Sequence, residues 1–399
     1  MPFIFRQRLW GTLFLLWGIL TSQIFLEKFP DRTFPPPLHN LIKEPLHLPQ
    51  YAEAGYSHLG RSPVVDAVLS NPFYLPTYAQ LIANHLKKAA SAQSLCQLCT
   101  VSFKAAGIPL SSTVSPCHIN SKLPLDKFVE AFDSPMSQFI YPLWQSFLQT
   151  AQETEQILSV ITDEEKKWIQ ANAETFFFAQ EGDAEYDFFT SESLMPLKFF
   201  EIGARLDLAK LADCARRLSS LVDILYAHRE QFKDIDLKED FTFEEQGLKL
   251  IISSKSQHTY SENADMFLCL NGNNTFNNNA GGTLNKHPTS YHTCMKGENT
   301  FSGRSFVQGC GCLGIGILAN FGGENLFKAT SYAQGAGFFS VGILANFAGK
   351  NRYTLDFFGQ SCAAFGSSIV WDHDGDCRYT AHDGFAQAAA STLGVAFLD

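Results

Sequence analysis

A chain of 399 residues is long enough to hold two or three domains with a sizeable core. Apolar residues make up 45% of the sequence and 36 residues are phenylalanine, so most of the chain is expected to be globular rather than disordered. The formal net charge is −10, and runs of Lys and Arg beyond the N-terminal tip never exceed two residues. This balance argues against nucleic acid as a partner and against a polybasic membrane patch, since both need concentrated positive charge.

The first 28 residues carry the pattern of an export segment. Arg6 and Arg8 precede an apolar stretch at residues 9–26, which ends at Glu27 and Lys28. A positive start followed by an apolar run predicts a secretory signal peptide or a retained signal-anchor helix in the membrane. The arginines favour an orientation that places the bulk of the chain outside the cytoplasm, in the cell envelope or secreted. The alternative is a buried N-terminal helix of a soluble protein.

Three further regions follow, which makes the predicted fold an α+β multidomain protein. Residues 29–55 form a proline-rich linker, because six of the seventeen prolines lie within residues 29–50 and each fixes φ and removes a donor. Residues 56–240 have apolar residues at helical spacing and predict a helical domain, in which Thr162 and Glu165 have the spacing of a capping box. At residues 241–399 the pattern changes to short strands with frequent glycine.

Ten cysteines bear on the compartment, since an exported chain can form disulfides. Cys96 and Cys99 form a C-x-x-C that follows a helix-like run, whereas a thioredoxin-like redox site would follow a strand. Together with Cys117 and His118 they could supply four zinc ligands. The other two interpretations are a local disulfide and unpaired thiols.

The last third of the chain is a tandem repeat of about 26 residues. Each copy opens with a glycine, at Gly297, Gly323, Gly349 and Gly375. An aromatic residue follows four positions later, at Phe301, Phe327, Tyr353 and Tyr379. A glutamine comes seven positions after the aromatic residue, at Gln308, Gln334 and Gln360, with Gln387 delayed by one. Twelve positions further on stands Asn320, Asn346, Asp372 or Asp399, preceded at two positions by Leu318, Leu344, Val370 or Phe397.

A repeat of this length without a ten-residue helical stretch predicts three short strands per copy, wound into a parallel β-solenoid. Stacked coils lie one strand spacing apart, so equivalent residues form ladders. We expect the aromatic column to stack ring on ring, and the glutamine amides to bond one another along the axis. The Asn/Asp column is expected at the turn, where these side chains bond their own backbone.

The repeat resembles an exported bacterial family of unknown function. The family pattern G-[DN]-x-[YF]…Q-G-x-G…G-x-G-x-L-x-[DN] covers residues 245–399, with Gly335, Gly337 and Gly342 at its glycine positions. The resemblance implies an exported solenoid. The chain departs from the family at the paired aspartates, which are here mostly Asn320, Asn346, Glu324, Asn325 and Asn351.

The densest polar cluster lies in the last repeats. Asp372, Asp374, Asp376 and Asp383 have a spacing similar to that of a calcium loop, although Cys377 stands where an EF-hand has glycine. The same residues occupy a turn that every copy has, so a structural turn, weak calcium binding and carboxylate catalysis are the three interpretations. No motif of a hydrolase, metalloprotease or nucleotide-binding enzyme occurs, and the sequence assigns no catalytic residue and no cofactor other than a possible calcium ion.

These features favour an exported, non-enzymatic protein with a structural or interaction role and a protein or glycan partner on a solenoid face. The alternative is a solenoid enzyme that cleaves polysaccharides with paired carboxylates. Two further expectations concern the coils. Cys310 and Cys362 should stay unpaired, because one coil lies between them. Residues 385–399 should self-associate, because a solenoid end needs a cap over its strand edges.

Overall fold

The computed structural model describes residues 75–105, 108–111, 126–177, 194–283, 287–391 and 394–398. The predicted export segment at residues 1–28 and the linker at residues 29–55 lie outside the described residues, as do Cys117 and His118. Within the part of the chain that the structure describes, no helix combines the length and apolarity needed to cross a bilayer.

The middle region is helical, as its apolar spacing predicts. Its described helices are α1 (Leu75–Ser91), α2 (Leu95–Ala105), α3 (Asp126–Ala131), α4 (Ser134–Leu158), α5 (Asp163–Phe177), α6 (Leu194–Gly203) and α7 (Leu208–Ala227), followed by a 3-10 turn at Arg229–Phe232. Side chains fix where helices begin. At the start of α4, Asp133 accepts a hydrogen bond from the backbone N–H of Met136 at 2.9 Å. At α5 the predicted capping box is formed, because Thr162 and Glu165 each accept from the other's backbone N–H.

From Phe241 onward the chain winds into a parallel β-solenoid with three sheets, as predicted. Sheet A contains β1 (Phe241–Glu245), β2 (Leu248–Ser253), β4 (Met266–Cys269), β6 (Thr289–Cys294), β10 (Ile315–Asn320), β13 (Val341–Asn346), β16 (Ser367–Asp372) and β19 (Val395–Leu398). Sheet B contains β3 (Thr259–Tyr260), β5 (Thr275–Phe276), β7 (Thr300–Ser302), β11 (Leu326–Ala333), β14 (Arg352–Gly359) and β17 (Arg378–Ala381), with β8 (Ser305–Val307) beside β11. Sheet C contains β9 (Gly311–Cys312), β12 (Gly337–Phe338), β15 (Ala363–Ala364) and β18 (Ala390–Ser391). The described pairings are parallel except the β1–β2 hairpin.

Paired positions in sheet A give the length of each coil. The residues in register are Leu250, Met266, Tyr291, Ile317, Ile343, Ile369 and Phe397. The steps between them are therefore 16 and 25 residues, then three steps of 26, and a last step of 28. The repeat seen in the sequence is thus one turn of the solenoid per copy.

The longer last coil corrects one predicted column. Phe397 was expected to continue the column of Val370, but it is in register with Ile369, and Leu398 pairs with Val370. The physical reason is extra chain in this coil: Ala390 of β18 already lies 27 residues after its partner Ala363. Counting a fixed number of residues from Gln387 therefore assigns Phe397 to the wrong face of the strand, because neighbouring strand residues point to opposite faces.

The helices cover the outer face of sheet A. Along β13, Leu344 belongs to the cluster inside the solenoid, whereas the preceding Ile343 lies in the cluster that includes the helices. Helix α7 crosses this face, where the ring of Tyr226 stacks on Phe347 at a centroid distance of 4.2 Å and meets Phe321 edge-on at 5.2 Å. The helical region and the solenoid therefore share one hydrophobic core.

Sheet C is also covered by helical residues. The ring of Phe199 on α6 lies 6.0 Å from Phe338 and 5.9 Å from Phe339, centroid to centroid. At the far end of β11 the hydroxyl of Tyr332 donates to the carbonyl oxygen of Ala173 on α5. Two sides of the solenoid thus face helices.

Candidate functional site

The rings that the repeat places in one column stack on one another inside the solenoid. The column contains Tyr260, Phe276, Phe301, Phe327, Tyr353 and Tyr379. Consecutive centroids lie 5.1 Å apart at Tyr260–Phe276 and 4.4 Å apart at Tyr353–Tyr379, with nearly parallel planes. The rings are buried except for Tyr379, which is partly exposed. Their geometry is that of core packing, extended by two rings beyond the predicted ladder.

The glutamines do not form the predicted amide chain. Their Nε2 atoms donate instead to backbone carbonyl oxygens of the next coil, from Gln308, Gln334 and Gln360 to Lys328, Thr354 and Thr380 at 2.8, 2.9 and 2.9 Å. The three glutamines have φ values of 56°, 53° and 49°. At these left-handed corners, strand carbonyls lie within reach of the amide nitrogens, so each glutamine joins its coil to the following strand of sheet B.

Amide-to-amide bonding occurs instead in the column that was expected at the turn. Nδ2 of Asn320 donates to Oδ1 of Asn346 at 2.9 Å. Both residues are the last in their sheet A strands and are fully buried. The prediction of a turn is wrong because the strand continues through this position and brings equivalent side chains into register.

A second asparagine ladder occupies the true turn and was not recognised from the sequence. It contains Asn274, Asn299, Asn325 and Asn351. The backbone N–H of each of the first three donates to Oδ1 of the next, at 3.1, 3.0 and 3.0 Å. Nδ2 of Asn325 also caps its own turn by donating to the carbonyl oxygen of Gly323 at 3.2 Å. The column ends at Cys377, whose Sγ lies 3.4 Å from the backbone nitrogen of Asn351. The signal in the sequence is an asparagine two residues after the repeat glycine.

Asp372 continues the Asn320–Asn346 column and is surrounded by donors. Its Oδ1 accepts from Nδ2 of Asn351 at 2.8 Å, and its Oδ2 accepts from the hydroxyls of Tyr353, at 2.6 Å, and Tyr379. Burial raises the pKa of Asp372 above its ordinary value, while the hydrogen bonds act in the opposite direction. The cluster supplies one carboxylate bonded to neutral donors, whereas cleavage of a glycosidic bond commonly uses two carboxylates.

The other aspartates of the predicted calcium loop lie apart. Asp374 and Asp376 are exposed in the turn before β17, and Asp383 lies beyond the other end of that strand. A strand of this length spans roughly 13 Å, which is too far for shared coordination of one ion. Among the described residues no group of three or more His, Cys, Asp or Glu side chains could hold a metal ion. The structure does not bring the four predicted ligands, Asp372 included, into one site.

The C-x-x-C of the helical region lies on α2, where Cys96 and Cys99 are not joined by a disulfide. Sγ of Cys99 lies 3.2 Å from Oγ of Ser219 on α7, and burial raises the pKa of the Cys99 thiol. The predicted local disulfide between Cys96 and Cys99 is therefore not formed. The zinc interpretation also needs residues that lie outside the described part of the chain, so it stays a prediction.

The solenoid cysteines follow the expected stacking. Gly311, Gly337 and Ala363 are in register in sheet C, which places one coil between the preceding residues Cys310 and Cys362. Both thiols are buried and free, as predicted.

One broad side of the solenoid keeps exposed polar side chains in the described part of the chain. Along β14, Tyr353 points into the solenoid, so Arg352 and Thr354 on either side of it point outward. We call this surface the sheet B face; it consists of Thr300, Ser302, Arg304, Leu326, Lys328, Thr330, Arg352, Thr354, Asp356, Arg378, Thr380 and His382. Its members are exposed or partly exposed.

Four cations lie on the sheet B face, at Arg304, Lys328, Arg352 and Arg378. None forms an ion pair with another described residue. The carboxylate on the face, Asp356, pairs with His382 at 2.8 Å. The turns along one margin carry charges of both signs, at Lys296, Glu298, Glu324, Lys350, Asp374 and Asp376. The face therefore has a cationic interior and a margin of mixed charge.

The sheet B face was not identified from the sequence as a candidate site. The signal was present, because the residues on both sides of each aromatic ladder position must point away from the solenoid interior. Applied to Phe327 and Tyr353, that rule selects Leu326, Lys328, Arg352 and Thr354.

Comparison with known proteins gives no relative from which a function could be transferred. The chain matches no protein-family model, no curated protein and no solved structure at a significant level.

Proposed function

We propose that this chain is an exported, non-enzymatic binding protein that presents the sheet B face to a partner. The observation that carries the proposal is that outward side chains differ in solvent exposure between two sides of the same coils. On sheet A the outward Ile343 is fully buried beneath helices, whereas on sheet B the outward Lys328 and Arg352 are exposed. Columns repeated coil after coil give an extended, regular surface of the kind that solenoid proteins use for binding.

A binding role also agrees with how the solenoid uses its polar residues. The glutamine and asparagine columns are engaged in hydrogen bonds between coils, and the oxygens of Asp372 accept from Asn351, Tyr353 and Tyr379. These groups hold the coils in register. On the described coils, the sheet B face is the broad strand surface whose side chains are left to meet another molecule.

Export is the second component of the proposal and is supported by the charged and apolar pattern of residues 1–28. A reporter enzyme fused after Gln50 is expected to be active outside the cytoplasm. Activity confined to the cytoplasm would overturn this component.

The binding component is tested by photo-crosslinking in the cells that naturally produce the chain. A benzophenone amino acid replaces Thr354 at the centre of the sheet B face, and a matched variant carries it at Lys87, which is exposed on α1. A macromolecular adduct from position 354 and none from position 87 is expected. Equal yields at the two positions, or no adduct at position 354, would overturn the proposal.

The non-enzymatic character is tested on polysaccharides, which are the substrates of the alternative function. The purified full chain is incubated with polysaccharides and the release of reducing ends is followed. No release above the blank is expected, and sustained release would show instead that the chain is a carbohydrate-cleaving enzyme.

A further inference from the structure

Three of the four cations of the sheet B face lie on a diagonal line. Lys328 is in register with Ser302 and Thr354 on neighbouring coils. Arg352 lies two residues before Thr354. Arg304 lies two residues after Ser302, in the link between β7 and β8, where its carbonyl oxygen accepts from the backbone N–H of Thr330 at 2.8 Å. Neighbouring strands are about 4.8 Å apart and alternate residues about 6.7 Å apart. Arg304, Lys328 and Arg352 therefore form a diagonal row with steps of roughly 8 Å between Cα atoms.

Hydroxyl groups border this row. Ser302 and Thr354 stand before and after Lys328 in its own column, and Thr330 stands between Arg304 and Asp356 in the next. At the end of the row Arg378 is in register with Arg352, so two guanidinium groups lie on adjacent coils. The surface thus alternates charged donors with small hydroxyls that can donate or accept.

We infer that the partner of the sheet B face is a linear acidic polysaccharide, an inference that rests on the proposed function. Guanidinium and ammonium groups bind carboxylate or sulfate, and the hydroxyls between them match the hydroxyls of sugar rings. The four cations have no ion pair among the described residues, so their charge is available to such a ligand.

The spacing of the row separates this ligand from nucleic acid. A DNA duplex carries one charge per about 1.7 Å of its axis and is bound by densely basic surfaces. Steps of roughly 8 Å suit a polymer with a charge on every one or two sugar rings instead. The net charge of −10 also repels a dense polyanion that extends beyond the face.

The inference is tested by measuring binding of the purified full chain to immobilised polymers. The probes are polygalacturonate for carboxylate groups, dextran sulfate for sulfate groups, unmodified dextran as the neutral match, and double-stranded DNA as a polyanion of denser charge. The test variant combines Arg304→Glu, Lys328→Glu and Arg352→Glu. The matched control reverses the same number of exposed charges on helices, with Lys87→Glu, Lys88→Glu and Lys104→Glu.

Binding to polygalacturonate or dextran sulfate is expected for the natural sequence and for the helix control, and about tenfold weaker or more for the face variant. Added salt should also weaken the binding of the natural sequence to the acidic polymers, because it screens exposed charges. Equal binding of DNA, equal loss in both variants, or binding of dextran that is indifferent to charge reversal would overturn the inference. Thermal unfolding of both variants checks that they fold, as expected for exposed positions.

The two proposals fail separately. An adduct at position 354 without binding to either acidic polysaccharide leaves the binding face standing and overturns its assignment to an acidic glycan. An absent adduct at position 354 overturns the binding face itself.

Discussion

Sheet A and sheet B are built from the same coils and have different outer surfaces. The outward residues of sheet A, such as Ile317, Ile343 and Ile369, are fully buried beneath helices. Those of sheet B, such as Lys328 and Thr354, meet solvent. Sheet A thus has the continuous apolar strands of a parallel sheet covered on both faces, and sheet B has the alternation of a half-exposed one. A single repeat therefore specifies both an anchor for the helices and an open surface.

The largest expected effect concerns the interior that both sheets share. Phe327 is fully buried between the rings of Phe301 and Tyr353. Phe327→Ala should lower the free energy of unfolding by about 3–5 kcal/mol, because a buried ring is lost and a cavity is left behind. Urea unfolding of the full chain measures the change. A loss below about 1 kcal/mol would contradict the stacked register.

A matched pair of alanine substitutions tests the difference between the outer faces. Ile343→Ala on sheet A should cost about 2–5 kcal/mol, since the side chain is fully buried against the helices. Thr354→Ala, at an outward position of the neighbouring sheet, should change stability by no more than about 0.5 kcal/mol. Both values come from the same unfolding experiment. Equal costs would show that sheet B is also covered in solution.

The solenoid could be predicted from the sequence because its signal is periodic. Equivalent residues such as Phe301 and Phe327 recur at a fixed interval, and stacking makes them neighbours. The bonding partners of the glutamine and asparagine columns were harder to predict. Gln308 and Asn320 are both amides that can form ladders, and only the backbone geometry decides that Gln308 bonds a main-chain carbonyl while Asn320 bonds another amide.

The packing of the helices on sheet A could not be predicted from the repeat. Ile317 and Leu318 are both apolar, so the sequence does not show which of them points into the solenoid. The apolar character of both together was the available sign that sheet A is covered on its outer face. The four aspartates of the calcium interpretation lie apart for a related reason: a strand, β17, separates Asp376 from Asp383, and spacing along the chain did not reveal it.

Asp372 tests the junction between the sheets, because it ends a sheet A strand and bonds two rings of the sheet B ladder. Asp372→Asn should cost about 1–3 kcal/mol, since an amide offers one acceptor oxygen where three donors converge. Burial raises the pKa of Asp372 above 3.8 in the folded state. Between pH 3.8 and the higher folded pKa, the folded protein therefore binds more protons than the unfolded chain. The contribution of Asp372 to stability is then lost as the pH rises through the folded pKa.

The pH dependence of unfolding checks this sign. The natural sequence should gain stability relative to Asp372→Asn as the pH is lowered through that window, because the asparagine does not titrate. A difference that grows in the opposite direction would mean that the hydrogen bonds from Tyr353, Tyr379 and Asn351 outweigh burial.

The smallest expected effect on stability separates binding from folding on the sheet B face. Arg352 and Arg378 are in register on adjacent strands without an ion pair among the described residues, and like charges directly opposite each other are unfavourable. Arg352→Glu replaces that repulsion with attraction and should raise the free energy of unfolding by about 0.2–0.5 kcal/mol at low salt. The same change should weaken binding of polygalacturonate, since it removes a cation from the diagonal row.

The unfolding and binding measurements are made side by side, with Lys87→Glu as the control that alters charge away from the face. A variant that is less stable as well as weaker in binding would indicate that Arg352 holds the coils together, and its unpaired charge would then be no evidence for a ligand. Stability gained while binding is lost would show that Arg352 contributes to binding at a cost to the fold.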